Sequence, residues 1–327
     1  MRTRFPRTVV IASILAIALA SAPRPARAAG APVFQGKWGS FGEADGQFHR
    51  IAGITVDEEG SVYVADSDLA RIDKFTADGA FMLQWGFQTG EFERPVGLAA
   101  DHRGHIFVTD YFGCRILRYT TNGAFEFAFG QFGADSVSFF HPTDVEADAD
   151  GNVFIVDQSN DRIMKYSALG QFLAQISGQG SADGQVKAPT GIAIDSDGSL
   201  FVTDQGNIRV QKFTHEGAFV TKWGTEGTGP GEFVAPTGIA IDSQHNVYVA
   251  NTLGDQVLMF TDTGSYLATL GQTGAGDGMF NFPYTLAVDA ADHLYVGDVN
   301  NIRIQKFSSK STPVLATTWG RLKNRYR

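Results

Sequence analysis

His141 and Asp144 stand three residues apart, an imidazole and a carboxylate that could move a proton as a general acid/base pair. The same Asp144 could instead hold a divalent cation such as calcium, which takes oxygen ligands. Tyr111, Phe112 and Tyr284 offer different chemistry: large rings of the kind that anchor a bound ligand. These five residues stand out because each departs from a pattern that fills almost the whole chain. A side chain found in one copy of a repeat and missing from the others is not explained by the shared scaffold.

The pattern is clearest from 189 to 224, PTGIAIDSDGSLFVTDQGNIRVQKFTHEGAFVTKWG. It reads as four short strands, alternating or continuously apolar, each closed by Gly, Asp or Asn. The Asp ending the first strand recurs at Asp57, Asp101, Asp148, Asp195, Asp242 and Asp289, spaced 44, 47, 47, 47 and 47. Four strands repeated at that period make a β-propeller blade. The expected fold is all-β: a single six-bladed propeller of four-stranded antiparallel blades over 29–320. No stretch has persuasive helical periodicity.

What repeats is read as scaffold. Each first-strand Asp is followed three residues on by Gly60, Gly104, Gly151, Gly198, His245 or Asp292, types that accept a left-handed turn, so these acids are expected to bond their own turns. Second strands end in Asp66, Asp110, Asp157, Asp204, Asn251 and Asp298. Five residues later come Arg71, Arg115, Arg162, Arg209, Gln256 and Arg303. Both charges vanish together in blade five, which predicts that acid and base touch and belong to the framework, since a lone buried charge is costly. Glycine-rich crossings such as GTEGTGPGEF lack the Gly-Lys-Ser/Thr ending of a phosphate loop. Either Val33–Trp38 or Val314–Trp319 must complete the last blade; closure by the N-terminal strand is favoured because it ties the ring's ends together.

Residues 1–28 are of another kind. Arg2, Arg4 and Arg7 precede the apolar run Val9 to Ala20, and Ala26-Arg27-Ala28 offers a cleavage site, the pattern of a secretory signal peptide. The run is too short to span a bilayer. Cleavage after Ala28 removes five Arg and no acid, taking the formal charge from −9 to −14. So acidic a surface disfavours nucleic acid and anionic membranes as partners. The basic tail 321–327 reads as a solvated terminus. The one cysteine, Cys114, excludes an intramolecular disulfide. The expected product is a secreted or periplasmic monomer.

The unit carried by Pro189, Gly191, Asp195, Asp204, Asn207, Arg209, Phe213 and Trp223-Gly224 resembles the NHL repeat, and copies run from about 33 to 320. The resemblance implies a six-bladed ring of the secreted bacterial type, used as an interaction platform. It also admits two enzymatic possibilities. Peptidyl-amidoglycolate lyases of this kind hold zinc through a Pro-His pair at inner-strand starts. Here the residues after that Pro are Val96, Thr143, Thr190, Thr237 and Tyr284, and blade one has Ile51 in place of the Pro. The seven histidines scatter as well: His102, His105, His215, His245 and His293 fall in turns of one rim, and His49 and His141 at the other. Related calcium lactonases need a channel cluster of Glu, Asn and Asp, for which Asp144 is the clear candidate.

Departures from the repeat gather on the rim of inter-blade crossings and second-to-third-strand loops. Inner-strand Gly53, Gly97, Gly191 and Gly238 become Asp144 in blade three and Thr285 in blade six. The leading expectation is a non-enzymatic platform that uses no cofactor and binds a protein, peptide or glycan through Tyr111, Phe112, His141, Asp144 and Tyr284. The alternative is a lyase or lactone hydrolase with a divalent ion at the channel mouth, Asp144 as ligand and His141 as base. Tyr111 and Phe112 could also simply pack on the neighbouring loop, Phe132 to Phe140.

Overall fold

The computed structural model describes residues 30–86 and 91–308. Six small antiparallel sheets stand around a channel. Blade one is Ile51–Val56, Val62–Asp66, Arg71–Phe75 and Phe81–Trp85, and the others follow the same meander. The last blade runs Pro283–Val288, His293–Asp298 and Arg303–Ser308, and is completed by Val33–Trp38, so the N-terminal strand closes the ring. The competing strand, the signal segment and the basic tail lie outside the described residues. Among those residues, no helix is long and apolar enough to cross a membrane.

Two details go beyond the repeat. Blade three carries a fifth, two-residue strand, Gln185–Val186, paired in parallel with its long outer strand Phe172–Gln179. Four other crossings each make a single parallel bridge: Phe41 with Phe48, Phe132 with Phe139, Glu226 with Phe233 and Thr273 with Phe280. Single turns of 3-10 helix, too short for any periodicity to announce, sit in the second-to-third-strand loops of blades three to six, for example Gln158–Asn160.

The core lies between blades. Ala99, Phe107 and Ile116 of blade two pack against Val145, Ile155 and Met164 of blade three. Ile54, Val64 and Phe75 of blade one meet Ala287, Tyr295 and Ile304 of blade six in the same way. Apolar burial across every seam holds the sheets face to face. Inner strands approach so closely that a Cβ on Gly53 would lie 2.0 Å from the Val96 carbonyl oxygen, and one on Gly191 2.5 Å from that of Thr237.

The scaffold acids behave as expected. Asp195 accepts the N–H groups of Asp197 and Ser199, and Asp289 those of Ala291 and His293, within their own turns. Gly198, His245 and Asp292 have φ of +82°, +62° and +61°. Arg162, Arg209 and Arg303 donate to Asp157, Asp204 and Asp298 at 2.6–2.7 Å, and Arg115 to Asp110 at 3.1 Å. Each guanidinium also clamps a crossing; Arg162 donates to the carbonyls of Ala134, Asp135 and Ser138. In blade one, Arg71 Nε turns to Asp73 instead, at 2.9 Å. Asp73 stands where blades four and six have Gln211 and Gln305, while the oxygens of Asp66 accept the N–H groups of His49, Arg50 and Leu69. Asn251 keeps the acceptor role of its acidic counterparts, taking the N–H groups of Val234 and Ala235.

Candidate functional site

The second-strand acids place the residues of the channel mouth. Asp66 accepts the Arg50 N–H at 3.0 Å, and Asp110 that of Arg94 at 2.8 Å, fixing the residue that enters each inner strand. Around the ring this position reads Arg50, Arg94, His141, Ala188, Ala235 and Phe282. Two residues further in it reads Ala52, Val96, Thr143, Thr190, Thr237 and Tyr284. Blades six, one, two and three therefore present Phe, Arg, Arg and His, whereas blades four and five present alanine. A cavity of about 280 Å³ lies in this mouth, lined among others by Arg50, Arg94, Tyr111, Thr143, Phe282 and Tyr284.

His141 and Phe282 have φ of +56° and +63°, left-handed although each precedes a proline, an unfavourable combination for non-glycine residues. For Phe282 the preceding blade compensates: its N–H donates to Asp255 Oδ1 at 2.8 Å. The matching position before His141 is Cys114, which is buried. Ala188, in a blade that presents alanine to the mouth, is also left-handed before its proline at φ +42°, and its N–H donates to Asp161 at 2.6 Å, so this conformation belongs to the repeat.

The aromatic side chains form a wall. Tyr111 stacks on His141 with ring centroids 4.3 Å apart and planes 2° from parallel. Phe112 stands edge-on to both rings and is 51% exposed. The Arg94 guanidinium lies 5.2 Å from the Phe112 ring centre and 5.8 Å from that of Tyr111. Beyond His141 the rings continue through Phe140 to Phe132. Packing on the neighbouring loop and exposure at the rim thus occur together: Tyr111 is the packed member and Phe112 the exposed one. Phe282 and Tyr284 lie parallel, within 1°, on the blade-six side.

Asp144 is not part of this wall. It faces a second cavity, of about 240 Å³, one tier deeper and bordered toward the opposite rim by His102 and Val288. Oδ1 accepts the Val145 N–H and Oδ2 the Ile192 N–H of blade four, each at 3.0 Å. Thr285 does the equivalent, accepting the Ile54 N–H of blade one at 3.1 Å. Both departures from glycine therefore stitch a seam. His141 Nδ1 pairs with Ser159 Oγ at 3.0 Å, so the structure does not join His141 to Asp144.

Two residues on from Asp144, Glu146 also lines the deeper cavity. Burial pushes the Asp144 carboxyl up to about 7. Burial, reinforced by the neighbouring Asp144 charge, pushes Glu146 up to about 8. Sequence reasoning missed Glu146 together with Arg50 and Arg94. The signal was present: the matching inner-strand residues are Thr55, Ala99, Ala193, Ala240 and Ala287, and the same comparison across copies would have exposed all three.

These residues do not fit a resident channel metal. Among the described residues, the carboxylates lining the deeper cavity, Asp144 and Glu146, come from one strand, and both oxygens of Asp144 already accept amide hydrogens. A cluster of Glu, Asn and Asp from several blades is not assembled among them. Among the described residues, the three-membered group of possible ligands is Asp195, Asp197 and His245, in turns of the other rim. The remaining turn histidines are held by acids: His102 by Glu58, His105 by Asp101, His215 by Asp148 and His293 by Asp289, at 2.6–2.9 Å.

Sheet topology, closure and channel define a six-bladed β-propeller of the NHL-repeat type, with a cavity at each end of its axis. More specifically, the chain belongs to the SMP-30/gluconolactonase/LRE-like family, whose model matches residues 88–275, and the NHL repeat model matches 280–307. No curated protein matches it in sequence. Similar solved structures include a Bacteroides thetaiotaomicron protein of unknown function, 17% identical over 83% of this chain and 73% of that one, with a TM-score of 0.66. A gluconolactonase from Xanthomonas campestris is 14% identical over 86% and 99%, TM-score 0.60. Virginiamycin B lyase from Staphylococcus aureus is 16% identical over 79% and 94%, TM-score 0.55. At these identities the likeness is one of fold.

Proposed function

We propose that this protein is an exported, monomeric binding propeller that takes a protein, peptide or glycan at the mouth framed by Tyr111, Phe112, His141 and Tyr284. The observation that carries this reading is the asymmetry of the mouth. Four consecutive blades of a repetitive ring bear cations and aromatic rings, the residue types that dominate binding energy at interfaces, and the remaining two bear alanine. Asp144 supports the mouth from below as a seam residue. Purified wild-type protein on peptide and glycan arrays should bind at least one class. Tyr111→Ala and Tyr284→Ala should weaken binding by about 10- to 30-fold, the usual loss of an anchor residue, without lowering Tm by more than a few degrees. Unchanged binding in both variants would end the mouth reading.

Family membership favours one competing reading, a hydrolase or lyase with a divalent ion over the channel. Elemental analysis separates the two. The expected result is no stoichiometric metal; one tightly held ion per chain, lost in Asp144→Ala, would replace the binding reading with the enzymatic one.

A further inference from the structure

The mouth contains more hydrogen-bond donors than the protein itself uses. Arg50 and Arg94 hold equivalent places on adjacent blades and line the same cavity. Neither guanidinium forms an ion pair with any described residue, in a chain with 35 acids against 26 bases. Arg115, Arg162, Arg209 and Arg303, by contrast, are each bound to an Asp. Two hydroxyls lining the cavity are also unpartnered: Ser67 Oγ and Thr143 Oγ1, on residues only 4% and 5% exposed. The Tyr284 hydroxyl has no hydrogen-bond partner among the described residues, and burial keeps it protonated, hence a donor. Two cations and three hydroxyls around one small cavity make it complementary to an anion, and a planar guanidinium matches the geometry of a carboxylate.

Resting on the mouth reading, we infer that the group seated there is a carboxylate of an acidic peptide segment, held between Arg50 and Arg94. The cavity is at the small end for a whole ligand, so it suits one side chain or chain terminus of something larger. Above it the rim is apolar. Phe112 is 51% exposed, and the crossings into blades one and three raise Phe41 and Phe132, 66% and 69% exposed. Phe112 stands 71° to Tyr111 and 73° to His141, a ridge rather than a floor. The faces of Tyr111 and His141 are closed on each other. A sugar ring would want a flat aromatic platform, whereas a ridge beside an anion pocket fits an acidic residue flanked by an apolar one.

The test is selection of a displayed library of random linear peptides on the intact mature protein, followed by titration of the recovered peptides. Enriched peptides should share an Asp, a Glu or the free C-terminus next to an apolar residue. Amidating that carboxyl, or introducing Arg50→Gln or Arg94→Gln, should weaken binding at least 10-fold. Comparing internal acids with C-terminally amidated peptides tells which carboxylate is used. Recovery of no peptide, recovery of peptides without a shared acid, or binding of oligouronate in their place overturns the inference. If Tyr111→Ala abolishes binding while both arginine variants bind normally, the carboxylate inference falls and the mouth reading stands; if no variant matters, both fall.

Discussion

At the turn-bearing rim, Asp57, Asp101, Asp148, Asp195, Asp242 and Asp289 each accept N–H groups of their own turns, and His105, His215 and His293 close onto the same carboxylates. At the loop-bearing rim, Arg50, Arg94 and Tyr284 find no such partner among the described residues. The two ends of one channel therefore differ less in how many polar residues they hold than in whether those residues satisfy each other. Unsatisfied polar atoms also occur within the repeat, at the Trp38, Trp85 and Trp223 indoles; what sets the mouth apart is that unpaired cations and hydroxyls from several blades share one cavity.

The sharpest way to break this comparison is to remove a scaffold charge. Asp298→Ala should destabilise the ring by about 3–5 kcal/mol in denaturant unfolding, because it strands the buried Arg303 guanidinium and frees the Asn281 crossing. Loss of under about 1 kcal/mol would mean that the clamp is not structural. A smaller effect is expected in the deeper cavity. Glu146 holds its proton to about pH 8 in the folded chain but releases it near pH 4 when unfolded, so its contribution to stability falls as pH rises through that window. Glu146→Gln removes this part of the slope and leaves that of Asp144. It should melt with the wild type at pH 4 and about 2 °C above it at pH 9, the partial exposure of Glu146 to the cavity keeping the effect near 1 kcal/mol. A gap that does not grow with pH would refute the burial argument. The smallest effect belongs to the mouth: Arg94→Gln should leave stability within about 0.5 kcal/mol. A large loss there would show that Arg94 is scaffold and erase the contrast between the rims.

Much of this was legible in the chain before any coordinates. Asp204 and Arg209 could be paired from their recurrence and their joint replacement by Asn251 and Gln256, because hairpin partners are close in sequence. The residues Tyr111, Phe112, His141 and Tyr284 stand out as breaks in the repeat; Tyr111 and Tyr284 line the mouth cavity, and Phe112 and His141 pack on Tyr111. Asp144 was found by the same rule, yet it sits a tier below, since a one-residue step along an inner strand decides which cavity a side chain enters. Arg71 Nε bonds Asp73, an acid that the third strands of the other blades lack at this position, something a pattern of recurring pairs does not register.

The sequence by itself determined the number of blades, the four strands in each, the turn acids and most of the hairpin ion pairs. All of these are local, set by side-chain alternation and by residues a few positions apart. Only the tertiary structure decided that the N-terminal strand closes the ring, that Asp144 and Thr285 stitch seams to residues 48 and 231 positions away, and that two arginines from different blades share one cavity. Those facts depend on how six inner strands stand around a common axis, and no local pattern along the chain encodes that arrangement.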